Sequence, residues 1–178
     1  MQMNKKIVIF GLALVILFSG CVAPEKEDFK NYCSSEQGFS FSYPENWAKM
    51  SNTSFGVVFY SPENSQKQLS LLTVSKSKEF EGVEYNSLNE LIRAVLTPFE
   101  KDSSYKKLND SPTTVGTTSA RDITISYSEE GMQVRIRLII TEKRNGYFYK
   151  VALFSPKELF ENDNKTFDEI VKSFRFEC

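Results

Sequence analysis

Two turn signals, each set between apolar runs, limit the folds open to this chain more than any other feature. Glu130-Gly131 separates Ile123–Tyr127 from Val134–Leu138. Pairing outward from that two-residue turn sets Tyr127 opposite Val134, Ile125 opposite Ile136 and Ile123 opposite Leu138. All six are apolar and share one face, while Thr124, Ser126, Arg135 and Arg137 fall on the other. A one-residue slip would bury the arginines, so the register is strongly specified. Asn145-Gly146 is a type I′ hairpin signal, since both positions accept positive φ. Pairing from it sets Ile140 opposite Val151 and Leu138 opposite Leu153, which continues the same apolar face. The expectation is a three-strand antiparallel meander.

The flanking segments fit a sheet with helices packed on it. Phe39, Phe41 and Tyr43 alternate with Ser40 and Ser42, a half-buried strand that Pro44 ends, and Trp47 follows in a loop. Phe55–Ser61 and Gln68–Ser75 read as two further strands. Ser87-Leu88-Asn89-Glu90 is a capping box. Leu88, Leu91, Ile92, Val95, Leu96 and Phe99 follow it at helical spacing, so a helix is expected from Leu88 to Phe99, with Pro98 near its end. A second helical region begins at Pro156 and carries Phe160, Phe167, Ile170 and Val171 as its apolar stripe. Phe174 and Phe176 then alternate with Arg175 and Glu177 in a last short strand. Fifteen Phe and eight Tyr agree with a sheet-rich core. The pattern is α+β, with helices against an antiparallel sheet.

The N-terminus reads as an export signal. Lys5 and Lys6 precede Ile7–Phe18, a 12-residue apolar run interrupted only by Gly11. That is shorter than the ~20 residues of a membrane span and matches the apolar core of a signal peptide. Phe18-Ser19-Gly20-Cys21 follows. Small residues ahead of a cysteine suit a peptidase cleft, and the thiol can be acylated. The sequence resembles the bacterial-type lipobox, with Phe18 standing where Leu is usual. Expected here are cleavage after Gly20 and lipid on Cys21; the alternative is an uncleaved anchor, because Ile7–Ala23 carries no charge. Both place the domain on the outer face of the cytoplasmic membrane. Pro24–Asn31, polar and charged, then reads as a short tether. Cys33 and Cys178 are the remaining cysteines, an even pair that suggests a disulfide in an oxidising exterior, against the alternative of two free thiols.

Composition removes several chemistries. The chain has no histidine, which takes away the commonest general base, the usual Ser-His and Cys-His pairs and most catalytic zinc sites. Net charge is −1; without Lys5 and Lys6 it is 20 basic against 23 acidic residues, which gives no electrostatic case for nucleic acid. Glu129-Glu130, and Glu161 with Asp163, lack the ligand spacing of a calcium loop and read as solvated turn acids. Arg135, Arg137 and Lys150, expected together on the outward face of the meander, form a partner-binding patch or else a solvated sheet face. Tyr43, Trp47 and Tyr60 line a groove or pack in the core. Asn52-Thr53-Ser54 and Asn164-Lys165-Thr166 are glycosylation sequons, with Asn52 and Asn164 as acceptors. No phosphate-binding loop, dinucleotide fingerprint or nucleophile elbow is found, and no cofactor is expected.

Gly38-Phe39-Ser40-Phe41-Ser42-Tyr43-Pro44-Glu45-Asn46-Trp47 resembles the opening of PsbP-type domains. Phe167-Asp168-Glu169-Ile170-Val171-Lys172-Ser173-Phe174-Arg175-Phe176 is similar to their close, and Tyr147-Phe148-Tyr149-Lys150-Val151 to a hairpin between. The resemblance spans residues 37–177 and implies an α/β/α sandwich around a central antiparallel sheet. It also implies a non-enzymatic binding scaffold without naming a ligand, since fold alone does not carry function. The expected organisation is a signal peptide at 1–20, a lipidated N-terminus and tether at 21–36, and one domain at 37–178. The expected role is a membrane-anchored binding or accessory module with a protein partner. The alternatives are a histidine-independent carboxylate hydrolase at the cell surface and a structural envelope protein.

Overall fold

A computed structural model describes residues 28–53, 56–64, 68–80 and 82–178; the signal segment and Cys21 lie outside them. The strands are β1 (Phe29–Ser34), β2 (Phe39–Pro44), β3 (Ala48–Thr53), β4 (Gly56–Tyr60), β5 (Leu71–Ser77), β6 (Glu79–Phe80) and β7 (Val83–Glu84). Helix α1 (Leu88–Glu100) precedes β8 (Lys106–Val115), β9 (Thr118–Glu129), β10 (Met132–Thr141) and β11 (Phe148–Pro156), and α2 (Phe160–Ser173) closes the chain. A seven-stranded antiparallel sheet runs β3-β4-β5-β11-β10-β9-β8. Hairpin β1-β2 and helix α2 cover one face of it, and α1 covers the other. This is the α/β/α sandwich expected from the sequence.

The first hairpin has the expected register: Tyr127 faces Val134, Ile125 faces Ile136 and Ile123 faces Leu138. Its apolar face is buried under Leu88, Ile92 and Val95 of α1. The second hairpin corrects the expectation by one residue. Arg144 pairs with Tyr147 across the Asn145-Gly146 turn, but further in Ile140 pairs with Lys150, Ile139 with Val151 and Leu138 with Ala152. Three residues of one arm, Thr141 to Lys143, therefore oppose two of the other, Phe148 and Tyr149. The Thr141 hydroxyl accepts the Tyr149 N–H at 3.1 Å there. The slip carries Val151 and Leu153 to the α2 face, leaving Phe148 and Ala152 under α1. Helices cover both faces of β11, so its apolar pattern could not reveal the slip.

Three further expectations change. Residues 29–34 are not tether but β1, paired with β2 from Phe29–Pro44 to Ser34–Phe39, so the folded unit starts ahead of residue 37. The segment after Trp47 is not loop but β3, while Trp47 itself stays in the turn between β2 and β3 and packs in the core, one of the two placements expected for it. The closing strand reduces to one antiparallel bridge, Ser40 with Arg175, held by two reciprocal backbone hydrogen bonds. The meander also gains a fourth strand, β8, with Asp110 opposite Ile123.

Helix α1 begins where the capping box placed it. The Ser87 hydroxyl accepts the Glu90 N–H at 3.3 Å. The Glu90 carboxylate reaches one residue further back than expected, to the Asn86 N–H at 3.2 Å. Ser87→Ala is expected to cost about 1 kcal/mol in urea unfolding, because the first turn loses its side-chain acceptor.

Tyr127 packs edge-on against Phe99 of α1, ring centroids 5.2 Å apart, and its hydroxyl donates to Glu129 at 2.9 Å. Burial, then the bond to Glu129, pushes its phenol up to about 12. A folded-state value above the ordinary ~10 means that the neutral phenol stabilises fully below pH 10, and that this contribution is lost as pH rises toward 12. The urea midpoint should fall between pH 9 and pH 11.5, and Tyr127→Phe should fall less over the same interval.

Candidate functional site

The polar residues of the sheet sort into two built-in networks and three open grooves. The first network centres on Arg137, on the α2 face. Its Nε and Nη2 donate to Asp122 at 2.7–3.2 Å, and its Nη1 to Asn164 at 2.8 Å and Asp168 at 2.7 Å. The side chains of Arg137 and Asp122 are 16% and 14% exposed, and the guanidinium lies over the Phe167 ring. Burial opposes the charge, but the bonds to Asp122 and Asp168 outweigh it and hold Arg137 above its usual value. The second network is buried at the start of α2. Asp163 accepts the hydroxyls of Ser70 and Ser155, the latter at 2.7 Å, and so ties α2 to the residue before β5 and to the end of β11. Asp163 is 8% exposed, which corrects its reading as a solvated turn acid.

The expected patch of Arg135, Arg137 and Lys150 does not form. Arg137 is consumed in the first network. The register slip turns Lys150 to the α1 side, beside Leu91, Val95 and Phe148, where burial pushes its ammonium down. Arg135 alone remains at an open surface. Its guanidinium sits over the Phe160 ring and pairs at 2.7 Å with Glu161, which is 79% exposed. Asn164 has its side-chain carbonyl committed to Arg137. Asn52 lies in β3, opposite Val57. Tyr43 packs its ring 4.3 Å from Phe59.

Arg135 borders a groove of about 430 Å³ at the end of the sheet. Lys106, Ser126 and Arg135 are direct cross-strand neighbours on β8, β9 and β10, so they share one face. Lys157, in the turn before α2, and Leu108 also line it. A second groove, about 300 Å³, brings Glu36 and Glu79 together with Lys76 and Lys78, whose ammonium groups sit 4.5 and 4.9 Å over the Tyr147 ring. A third, about 460 Å³, lies beside the chain terminus, with Arg144 4.7 Å over Phe176 and with Arg175 and Cys178 in its wall. Cys178 is joined to Cys33 by a disulfide, Cα atoms 5.3 Å apart. Among the described residues no group of three or more His, Cys, Asp and Glu side chains is arranged to hold a metal ion. No helix among them is long and apolar enough to cross a membrane.

Sequence reasoning missed Lys106 and Lys157. Lys106 belongs to an edge strand whose exposed, polar sequence carries no alternation, and Lys157 reaches the groove only through a turn.

The fold is an antiparallel sheet between α1 on one side and α2 with an N-terminal hairpin on the other, with charged grooves open to solvent. The chain belongs to the PsbP-like family: the family model described as PsbP-like protein matches residues 21–176. No curated protein sequence matches it. Solved structures share its fold. The Ran-binding protein Mog1p of Saccharomyces cerevisiae is 11% identical, with a TM-score of 0.59 over 85% of this chain and 96% of that one. LpqN of Mycobacterium tuberculosis, described as involved in cell envelope biogenesis, is 12% identical, with a TM-score of 0.57 over 88% and 95%. Cyanobacterial PsbP from Synechocystis is 13% identical, with a TM-score of 0.56 over 89% and 98%. The chain spans only 47% of a longer Bacteroides thetaiotaomicron protein, at 18% identity, a TM-score of 0.54 and 82% of its own length. At these identities the likeness concerns the fold alone.

Proposed function

We propose that this protein is an exported lipoprotein, held by lipid on Cys21 at the outer face of the cytoplasmic membrane, whose PsbP-like domain binds a protein partner and performs no catalysis. The observation that carries the reading is the order Lys5-Lys6, Ile7–Phe18, Ser19-Gly20-Cys21 directly ahead of the folded unit. Two acyl chains on that cysteine would hold the domain firmly, at about 0.8 kcal/mol per buried CH₂. The Cys33–Cys178 disulfide suits an oxidising exterior. Open grooves with polar walls suit recognition of a surface or an extended segment. The names of Mog1p, which refer to Ran binding, and of LpqN, which refer to the cell envelope, support a binding role in this setting.

Replacement of Cys21 tests the anchor. Wild-type protein is expected in the membrane fraction after a carbonate wash, and Cys21→Ala in the soluble fraction with its disulfide intact. Retention of Cys21→Ala in the membrane would favour the uncleaved anchor. Hydrolytic turnover by the purified native protein, with no partner retained from membrane extract, would overturn the binding role.

A further inference from the structure

We propose that the groove over β8, β9 and β10 is the site that takes the partner, and that it receives an acidic segment of polypeptide, with Lys106, Arg135 and Lys157 as its cationic contacts. The inference rests on the binding role proposed above and names the chemistry of what is bound.

The walls of this groove carry three cations and no carboxylate. Among the described residues neither Lys106 nor Lys157 has an ion-pair partner. Arg135 has one, Glu161, but that carboxylate is largely in solvent, where an ion pair is worth only about 0.2–1 kcal/mol and is readily exchanged for a better acceptor. The cationic row is fixed by the sheet: Lys106 pairs with Ser126, and Ser126 with Arg135. The two cations stand two strands apart, so their Cα atoms are separated by about 9.6 Å. Cations at that spacing, with Lys157 beside them, suit a ligand that carries several negative groups, as an extended peptide with same-side carboxylates every ~6.6–6.8 Å does. Leu108, 49% exposed, adds an apolar wall among the cations, which suits a side chain between the acids of such a segment.

The surroundings discriminate against a flat anionic surface. Glu129, Glu130, Glu158 and Glu161 are exposed in the segments flanking the groove. A sheet of lipid headgroups would have to meet these acids together with the lysines, whereas a single strand of polypeptide lies inside the groove and avoids most of them.

The test uses the full native protein in non-ionic detergent and fluorescein-labelled hexaglutamate, read by anisotropy. Saturable binding is expected, weakening as salt is raised from about 50 to 300 mM. Lys106→Glu combined with Lys157→Glu should weaken it at least about tenfold. Glu161→Gln should tighten it roughly two- to fivefold by freeing Arg135. All these positions are on the surface, so each variant should keep the wild-type unfolding midpoint. No binding, or equal binding by the double variant, would overturn the proposal. So would competition by inorganic phosphate or citrate at the peptide's own concentration, which would mark a small-anion site. Groove-dependent retention on phosphatidylglycerol vesicles would instead mark a membrane contact. None of these outcomes bears on where Cys21→Ala fractionates, so failure of the groove and failure of the anchor are separately visible.

Discussion

Removing the bond between Cys33 and Cys178 is expected to destabilise the domain by about 2–5 kcal/mol. The bond closes a loop with a sequence separation of 145 residues. For a loop of that length the chain-entropy model gives about 5 kcal/mol, an upper figure, since a reduced chain retains some structure. The bond also ties together two ends of the chain that meet in one layer. Hairpin β1-β2 meets the chain terminus through two backbone bonds between Ser40 and Arg175, at 2.8 and 2.9 Å, and through the Ser40 hydroxyl on the Glu177 carbonyl at 2.7 Å. Beneath them Phe39, Phe41 and Phe174 form a stacked aromatic group whose centroids lie 5.6–6.4 Å apart. Loss of the link frees one end of that layer from the other. Urea unfolding of the native protein, compared with Cys33→Ser/Cys178→Ser, reads the difference directly. Identical midpoints would show that the aromatic layer alone holds the two ends.

Arg137→Ala is expected to cost about 3–5 kcal/mol while leaving anchoring and groove binding unchanged. The guanidinium supplies hydrogen bonds to Asp122, Asn164 and Asp168. Its removal leaves the Asp122 carboxylate, 14% exposed, without a cation, which is the costly half of breaking a buried pair. It also releases α2 from β9, because Asn164 and Asp168 lie on the helix and Asp122 on the strand. Arg137→Met with Asp122→Leu should recover most of the loss, since replacing both partners removes the uncompensated charge. This pair of variants separates a structural arginine from a recognition arginine. A stable Arg137→Ala that no longer binds hexaglutamate would place Arg137 in the site instead of Arg135.

How much of this was legible in the sequence depended on whether a strand has one buried face or two. β9 and β10 alternate cleanly up to Leu138, and every pair expected around Glu130-Gly131 is present. β11 is apolar on both faces because α1 and α2 sandwich it, so a one-residue shift beyond the Asn145-Gly146 turn left no trace in the pattern. β1 and β8 were hidden for the opposite reason. Phe29-Lys30-Asn31-Tyr32-Cys33-Ser34 and the first residues of β8 are mostly polar and exposed, and only pairing to a neighbour makes them strands. The site inherited these limits. Arg135 could be placed on the correct face, but its neighbours depend on the β8 register and on the turn at Lys157. Lys150, grouped with Arg135 and Arg137 by apparent alternation, was turned to the other face by the same one-residue shift, while Arg137 stays on the face of Arg135 but is tied to Asp122, Asn164 and Asp168.

The anchor proposed at Cys21 is decided at the N-terminus of the isolated protein. Mass spectrometry of protein isolated from its own membranes is predicted to show a first residue of Cys21 carrying diacylglycerol, with residues 1–20 absent. An intact chain beginning at Met1 with an unmodified Cys21 would contradict it.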